Sequence, residues 1–257
     1  MKILAFFMFT MFSSALVLGA ESEGPPSPLS RAAWYGQLSA VKLLVQEGAD
    51  LGFMDDRGCS PLHYAAGSGS SEIVLFFLQE DLEVNLPDSE GNTPLHIAAM
   101  NGCGNSLELL IDAGAEVDKK NDKGNTPFHM AIMHKDLAMI KILMDANPDL
   151  NLPDSLGRTP LHLAMEKGLI DLVSDLINRG ADIKKTDNNG TTLLHLAAMQ
   201  GFVAILPLLF EKGAITQLDA KNIYGHTPLC LARMKRHGEI IGILINSREG
   251  NVPVQMP

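Results

Sequence analysis

The sequence predicts an all-α fold, a solenoid of about seven stacked helix-turn-helix units that are joined by β-hairpin loops. The first observation is a tetrapeptide of the Thr-Pro-Leu-His type, which begins at Ser60, Thr93, Thr126 and Thr159, 33 residues apart (93 − 60 = 33). The second is a glycine two residues before each copy, and the third is a turn residue that ends each unit. A fixed period of this length indicates a stacked array, because one unit is too small to bury its own apolar face.

The first helix of each unit is predicted to begin at this tetrapeptide. Thr or Ser caps the helix by accepting a backbone hydrogen bond, and proline suits the first helical position because no donor is needed there. Thr192-Leu193 and Thr227-Pro228 begin two later copies, and Pro28 begins an earlier one, which brings the expected number of units to seven. We expect the units to start near residues 28, 55, 88, 121, 154, 187 and 222.

Two recurring turn positions complete each predicted unit. Glycines three residues before the proline position suggest turns with positive φ, and they are Gly58, Gly91, Gly124, Gly157, Gly190 and Gly225. Residues twenty positions after the proline suggest left-handed caps that end the second helix, and they are Gly48, Asp81, Gly114, Asn147, Gly180 and Gly213. Each unit is therefore expected to contain a turn, a short helix, a second turn, a longer helix and a cap.

The sixth and seventh units depart from this pattern. Leu193 replaces the proline that starts the first helix. Pro207 falls within the predicted second helix, where proline removes a hydrogen bond and is expected to kink the helix. The stretch 215–222 is also two residues longer than in the other units. These departures indicate either a distorted end with a C-terminal cap or a docking place for a particular partner.

These motifs, with the alanine pair after the histidine and a closing Gly-Ala-Asp, closely resemble the ankyrin repeat over about residues 28–246. The resemblance implies stacked helix pairs and a non-catalytic function in binding other proteins. In that family the recurring histidine ties neighbouring loops by hydrogen bonds, and here it is His63, His96, His129, His162 and His195. Successive histidines cannot share a metal ion, since adjacent repeats stack about 10 Å apart and metal–nitrogen bonds are about 2.1 Å long.

Composition and the absence of known motifs exclude several classes of function. The chain of 257 residues carries a formal net charge of −10, which argues against nonspecific binding of DNA or RNA because that requires a basic surface. Its cysteines, Cys59, Cys103 and Cys230, are too few and too irregularly placed for a disulfide framework or a zinc site. No phosphate-binding loop, HExxH, CxxC or nucleophile elbow occurs, so we expect no catalysis, no cofactor and no metal.

Residues 1–20 have the pattern of a secretory signal peptide. Met1-Lys2 supplies a positive charge, an apolar run follows, and small residues precede Glu21. The run is short for a membrane span, although an uncleaved anchor is the alternative. Residues 21–27 are predicted to form a polar linker, 28–246 the repeat domain and 247–257 a C-terminal tail. We expect a periplasmic or secreted protein, with no membrane insertion once the signal peptide is removed.

The candidate partner-binding residues are those that vary between units at fixed repeat positions. Positions that are constant across units serve stacking, so the variable positions at turns and first-helix ends are available for recognition. By resemblance to the ankyrin family, these are the positions that touch partners. They are Ser89, Glu90, Asn92, Met100, Asn101, Asp122, Lys123, Asn125, Met133, His134, Ser155, Leu156, Arg158, Glu166, Lys167, Asn188, Asn189, Thr191, Met199 and Gln200.

Methionine recurs six residues after the proline position, at Met100, Met133, Met199 and Met234. By the resemblance this position faces the concave groove, and stacking would align the side chains into a stripe. Methionine is flexible and polarisable, which suits adaptable contacts with a partner, and it is oxidisable outside the cytosol. The alternative is that these side chains pack against one another as part of the core.

We expect a monomer that binds another protein through its hairpin tips and concave groove. One alternative is a secreted effector, released by a microbe to act on a host protein. Another is a periplasmic regulator that protects an enzyme from oxidative stress, which the methionine stripe favours. No sequence motif supports the third possibility, that the protein is itself an enzyme.

The signal-peptide hypothesis predicts the N-terminus of the mature protein. When the full chain is expressed with a C-terminal tag, we expect N-terminal sequencing to begin at Glu21, because the small residues before it suit the peptidase. A variant with Gly19 and Ala20 both replaced by Lys is the control and should keep the uncut mass. An uncut wild-type chain in the membrane fraction would contradict cleavage and favour the anchor.

Overall fold

The structure is a computed structural model that describes residues 27–80 and 82–249. The predicted signal peptide at 1–20, residues 21–26 of the linker and residues 250–257 of the tail lie outside the described residues. The chain divides into two compact subdomains, an N-terminal one that ends at Pro148 and a C-terminal one that begins at Asp149. The described part is helical and contains no β-strand. The loop tips expected to be β-hairpins are turns closed by backbone hydrogen bonds.

The described part of the N-terminal subdomain holds four helix pairs. In chain order the helices are α1 (Pro28–Trp34), α2 (Leu38–Gln46), α3 (Pro61–Ser68), α4 (Ser71–Gln79), α5 (Pro94–Asn101), α6 (Gly104–Asp112), α7 (Pro127–His134) and α8 (Leu137–Asp145). The first helices pack on one another in order, α1 on α3, α3 on α5 and α5 on α7.

The described part of the C-terminal subdomain continues the same alternation. Its helices are α9 (Pro160–Lys167), α10 (Ile170–Asn178), α11 (Leu193–Gln200), α12 (Leu206–Glu211), a 3-10 helix (Ala214–Gln217), α13 (Pro228–Lys235) and α14 (Gly238–Arg248). Here α9 packs on α11 and α11 on α13. The last helix extends into the predicted tail, since it runs to Arg248 and buries Ser247.

Each first helix begins as the tetrapeptide predicts. Thr93 caps α5, and the ring of His96 returns a bond by accepting the backbone N–H of Thr93 at 3.1 Å. This reciprocal arrangement satisfies donors that a helix start otherwise leaves unpaired. Helix α11 begins at Leu193 without a proline, because Thr192 still accepts the backbone N–H of His195 at 3.3 Å. The cap rather than the proline therefore fixes where the helix starts.

The small residues of the first helices and the large residues of the second helices form the core. Ala65, Ala66, Ala98 and Ala99 are fully buried where first helices pack closely. The second helices contribute large apolar side chains, and Phe77, Leu110, Leu143, Val173 and Leu176 have no exposed surface. Burial of a side chain of this size contributes roughly 1.5–3 kcal/mol. Stacking of neighbouring pairs therefore supplies the burial that one pair lacks.

Both sets of predicted turn residues have positive φ. The glycines before the proline position range from 69° at Gly190 to 77° at Gly157. The residues that end the second helices include Gly48 at 88° and Asn147 at 55°, and Asp81 lies outside the described residues. These turn predictions are confirmed wherever the structure describes the residue.

The predicted kink at Pro207 is wrong. Helix α12 begins at Leu206, so Pro207 stands in the first turn, where its missing N–H is not needed. The helix is consequently only 6 residues long, against 9 residues for α10. The chain then forms the 3-10 helix Ala214–Gln217, which overlaps the start of the stretch 215–222 that the sequence shows to be longer. Proline has moved the start of the helix instead of bending its middle.

We expect substitution of Gly91 to destabilise the fold more than substitution of Gly114, although both glycines are left-handed. An added Cβ at Gly91 (φ +76) would lie 2.8 Å from the backbone nitrogen of Asp122, whereas Gly114 (φ +86) has nothing within 4 Å. Gly91→Ala should lower the free energy of unfolding by about 3–4 kcal/mol through strain and a displaced neighbouring loop, and Gly114→Ala by about 1–2 kcal/mol through strain alone. Urea unfolding monitored by circular dichroism measures both, and equal losses would contradict close loop packing.

Candidate functional site

The loop tips of the N-terminal subdomain are rigid turns that bond to one another. In one tip, the carboxylate of Asp88 accepts the backbone N–H groups of Glu90 and Asn92 at 2.9 and 2.8 Å. The next tip donates its Asp122 N–H to the carbonyl of Glu90 at 3.0 Å. Because Asp88 and these backbone bonds close the turn, the exposed side chain of Glu90 has no part in closing it.

The C-terminal subdomain repeats this arrangement with different side chains. The backbone N–H of Asn188 bonds to the carbonyl of Leu156 at 2.9 Å, and that of Ile223 bonds to the carbonyl of Asn189 at 2.9 Å. The side chain of Asn188 also donates to the carbonyl of Ser155 at 3.0 Å. The tips 155–156, 188–189 and 223–224 therefore form one connected edge within this subdomain.

The recurring histidine joins each loop to the next. In His96, Nδ1 accepts the N–H of Thr93, so Nε2 carries the proton and donates to the carbonyl of Asn125 at 3.0 Å. Nε2 of three of the other histidines makes the same kind of bond: His63 to Asn92 at 3.1 Å, His162 to Thr191 at 3.3 Å and His195 to His226 at 2.9 Å. The loop-tying role that the family resemblance implies is confirmed for His63, His96, His162 and His195.

Burial keeps these imidazoles neutral. It lowers the pKa of His63, His162 and His195 below the ordinary value, and it lowers the pKa of His96 to about 4. A neutral ring is required, because Nδ1 must accept a bond while Nε2 donates one. Across the described residues, no three His, Cys, Asp or Glu side chains come together as metal ligands would.

The structure sorts the candidate residues by accessibility. The exposed ones are Ser89, Glu90, Asp122, Lys123, Ser155, Leu156, Asn188, Asn189 and Gln200. The partly exposed ones are Met100, Asn101, Met133, His134, Arg158, Glu166, Lys167, Thr191 and Met199. Asn92 and Asn125 are buried. Most of the set is therefore accessible within its own subdomain.

Asn92 and Asn125 are buried, so they are not accessible to a partner. The amide of Asn92 accepts a bond from Asn121 at 2.8 Å and donates to Asp88 at 3.2 Å, so it holds two loops together. Asn125 is only 6% exposed. Both residues stand two positions before the proline of their repeat.

Some accessible candidates are fixed by polar contacts. Nη1 of Arg158 donates to Glu166 at 3.0 Å, and Nη2 donates to the buried carboxylate of Asp154 at 2.7 Å. Asn101 donates to the carbonyl of Gly67 at 3.0 Å, which ties α5 to α3. Glu90 pairs with Lys123 at 3.0 Å across neighbouring tips. These side chains present a defined arrangement of charge and amide groups.

The last repeat contains exposed apolar residues that the candidate set omits. Ile223 is 64% exposed and Tyr224 69%, at the same repeat positions as Ser155 and Leu156. Met234, at the position of the other methionines, is 60% exposed. Ile223 and Tyr224 lie five and four residues before Pro228, as Ser155 and Leu156 lie before Pro160, so the sequence identifies this tip pair. Leu156, at 55%, is the matching exposed apolar side chain two tips away.

Comparison with known proteins agrees with this geometry. The chain matches the family model of ankyrin repeats in three copies, over residues 29–121, 105–187 and 163–255. It therefore belongs to the ankyrin repeat family. Repeats of this family generally mediate protein–protein interaction, and such domains are typically non-catalytic.

Among solved structures, the chain is similar to the ankyrin repeat domain of Bcl-3, described as a unique member of the IkappaB protein family. The two share 26% sequence identity with a TM-score of 0.72, over 85% of this chain and 99% of that domain. No curated protein matches the sequence. Of the helices that the structure describes, none is long and apolar enough to cross a membrane.

Acidification is expected to destabilise the fold through these histidines. Because folding lowers their pKa, their stabilisation is complete above about pH 6.5 and declines as pH falls, since the unfolded chain then takes up protons first. For His96, with a folded pKa of about 4, the loss is on the order of 3 kcal/mol by pH 4.

Urea unfolding at pH 7.5 and pH 4 measures this loss. As a control, His96→Asn should be less stable than wild type at pH 7.5, because the loop-tying bond is removed, yet it should lose less stability between the two values. Parallel losses in both proteins would show that His96 contributes nothing to the pH dependence.

Proposed function

We propose that this chain is a non-catalytic scaffold that binds a partner protein through the loop tips and first-helix ends of its subdomains. The observation that carries this proposal is that the backbone and the exposed side chains of the tips have different roles. The backbone is locked by recurring bonds such as Asp122 N–H to Glu90, while the side chains of Glu90, Lys123 and Leu156 vary and are accessible. A surface built in this way suits recognition.

Rigidity favours binding by such a surface. Ordering of loops and side chains upon association costs free energy, and each tip here is already ordered by internal hydrogen bonds. The chemistry of the tips also differs along the chain. Glu90 and Lys123 give the N-terminal subdomain charged tips, whereas Leu156 and Tyr224 give the C-terminal subdomain apolar ones. The tip contacts available to a partner are therefore charged on the N-terminal subdomain and apolar on the C-terminal one.

The methionines support adaptable contacts within each subdomain. Met100 and Met133 are partly exposed on neighbouring first helices, α5 and α7, which pack on each other. Met199 and Met234 hold the same position on α11 and α13, which also pack on each other. Exposed or partly exposed methionines are available to a partner, and the flexibility of the side chain suits a partner of variable shape.

Export is part of the proposal. The N-terminal pattern of residues 1–20 supports action in the periplasm or outside the cell, and the protein is proposed to act there as a monomer. Secretion as an effector toward a host protein is the alternative, and recovery of the chain from host cytosol would favour it. Protection of a periplasmic enzyme against oxidants is supported by the accessible methionines, and loss of that protection on methionine substitution would test it.

Three serine substitutions test the binding surface. The partner is first identified by crosslinking the exported protein in its own cells and by mass spectrometry. We then expect Met100→Ser, Met133→Ser and Met199→Ser together to weaken partner binding by about tenfold or more, which corresponds to about 1.4 kcal/mol. Isothermal titration calorimetry measures the affinity, and differential scanning calorimetry confirms the fold.

The matched control replaces exposed residues on second helices, Glu108→Ser with Lys141→Ser, and should leave affinity unchanged. Wild-type affinity of the methionine variant at an unchanged Tm would remove these side chains from the proposed surface.

A further inference from the structure

The last repeat concentrates positive charge in a chain whose net charge is −10. Arg233, Lys235 and Arg236 are exposed at the end of α13. None of the three forms an ion pair with any described residue. The nearest acidic residue along the chain, Glu239 in the first turn of α14, is also exposed and makes no pair with them.

Exposed apolar side chains flank these cations. Met234 lies between them and is 60% exposed, while Ile223 and Tyr224 at the loop tip are 64% and 69% exposed. The tip leads through the cap Thr227 into α13, whose 8 residues span about 12 Å, so the tip and the helix end belong to one continuous segment. We refer to Ile223, Tyr224, Arg233, Met234, Lys235 and Arg236 as the basic patch.

The tip of this segment is held in place without using the side chains of Ile223 and Tyr224. The backbone N–H of Asn222 bonds to the carbonyl of His226 at 3.0 Å, and that of Ile223 bonds to Asn189 at 2.9 Å. The N–H of Tyr224 bonds to the side chain of Asn222 at 3.0 Å. Ile223 and Tyr224 are therefore presented on fixed backbone, so their burial by a partner requires little reorganisation.

A purely structural role accounts for only part of this charge. Cations in the last turn of a helix interact favourably with its dipole, which explains Arg233 and Lys235. The dipole also acts on Arg236, but this residue follows the helix in the left-handed conformation with φ 61°, as Lys135 does after α7, and that conformation strains its backbone. The equivalent residue after α11 is Gly201, and a side chain in this conformation is disfavoured. A cation is thus kept at a position where glycine would be more stable.

We propose that the basic patch binds an acidic segment of the partner protein, whose aromatic or aliphatic side chains pack on Tyr224 and Met234. This inference rests on the proposed function and specifies the partner at one part of the surface. Unpaired exposed cations attract an acidic segment and fix its orientation, and the apolar side chains supply buried area. Carboxylates that face Arg233, Lys235 and Arg236 complete the charge complementarity.

Fluorescence anisotropy of labelled synthetic peptides tests the inference with purified residues 21–257. The first probe is a dodecapeptide of Asp and Glu that contains two Phe and two Leu, and the second replaces the apolar residues with Ser. We expect the first to bind, with an affinity at least about tenfold higher than that of the second, and to weaken about tenfold between 50 and 500 mM NaCl. Equal binding of both peptides, or no binding, would overturn the proposal.

Arg236→Gly separates binding from stability. It should raise the Tm by about 2 °C, because glycine relieves the left-handed conformation, and still weaken binding of the first peptide about threefold or more. Lys135→Gly, at the equivalent left-handed position after α7 (φ 56°), is the matched control and should raise the Tm without changing peptide binding. Equal effects of the two substitutions on peptide binding would overturn the assignment to the last repeat.

A double substitution that reverses the charge is expected to weaken peptide binding more strongly than Arg236→Gly. Arg233→Glu with Lys235→Glu should abolish peptide binding while Tm stays within a few degrees, since both residues are exposed. Vesicles of phosphatidylcholine with about one-third phosphatidylserine, and a single-stranded oligonucleotide, test the other anionic ligands. Binding of either in preference to the first peptide would overturn the inference. If the crosslinked partner binds the reversed-charge variant normally, this inference fails while the proposed scaffold function stands.

Discussion

The structure depends on hydrogen bonds that join each loop to the loop of the next repeat. The ring of His96 supplies the central one, since one nitrogen completes the cap of its own helix and the other reaches the carbonyl of Asn125. The ring has no exposed surface, so water does not compete for either bond. The backbone bond from Asp122 to Glu90 adds a second connection at the tip. Cys230 takes the histidine position in the last described repeat, where no further described loop follows.

Because these bonds hold the backbone of the tips, the exposed tip side chains can vary, and they differ between the two subdomains. In the N-terminal subdomain Glu90 and Lys123 pair across neighbouring tips and present a charged edge. In the C-terminal subdomain Leu156 and Tyr224 flank a pair of asparagines and present an apolar and amide-rich edge. The backbone below is nearly the same in both. Differences in recognition therefore reside in a few side chains, while stacking is carried by the constant ones.

The fold could be predicted from the sequence because its signals recur. A single glycine such as Gly91 is weak evidence, but the same residue at the same offset in successive repeats specifies a turn, and its φ of 76° agrees. Accessibility was less predictable, because it depends on the neighbouring repeat. Asn92 looks like a tip residue in the sequence, yet its amide is buried by contact with Asn121. The prediction for Pro207 was wrong because the repeat period places it inside the second helix, whereas α12 begins later, at Leu206, with the proline in its first turn.

The loop-to-loop bonds connect residues that are close in sequence. His96 and Asn125 are 29 residues apart, and Lys123 and Glu90 are 33 apart. Within a subdomain, no distant parts of the chain must meet before these contacts form, which keeps the entropic barrier to folding low. Folding can begin at any two adjacent helix pairs and spread to their neighbours. Damage to one loop is consequently expected to open its own repeat and the next, leaving more distant repeats of that subdomain folded.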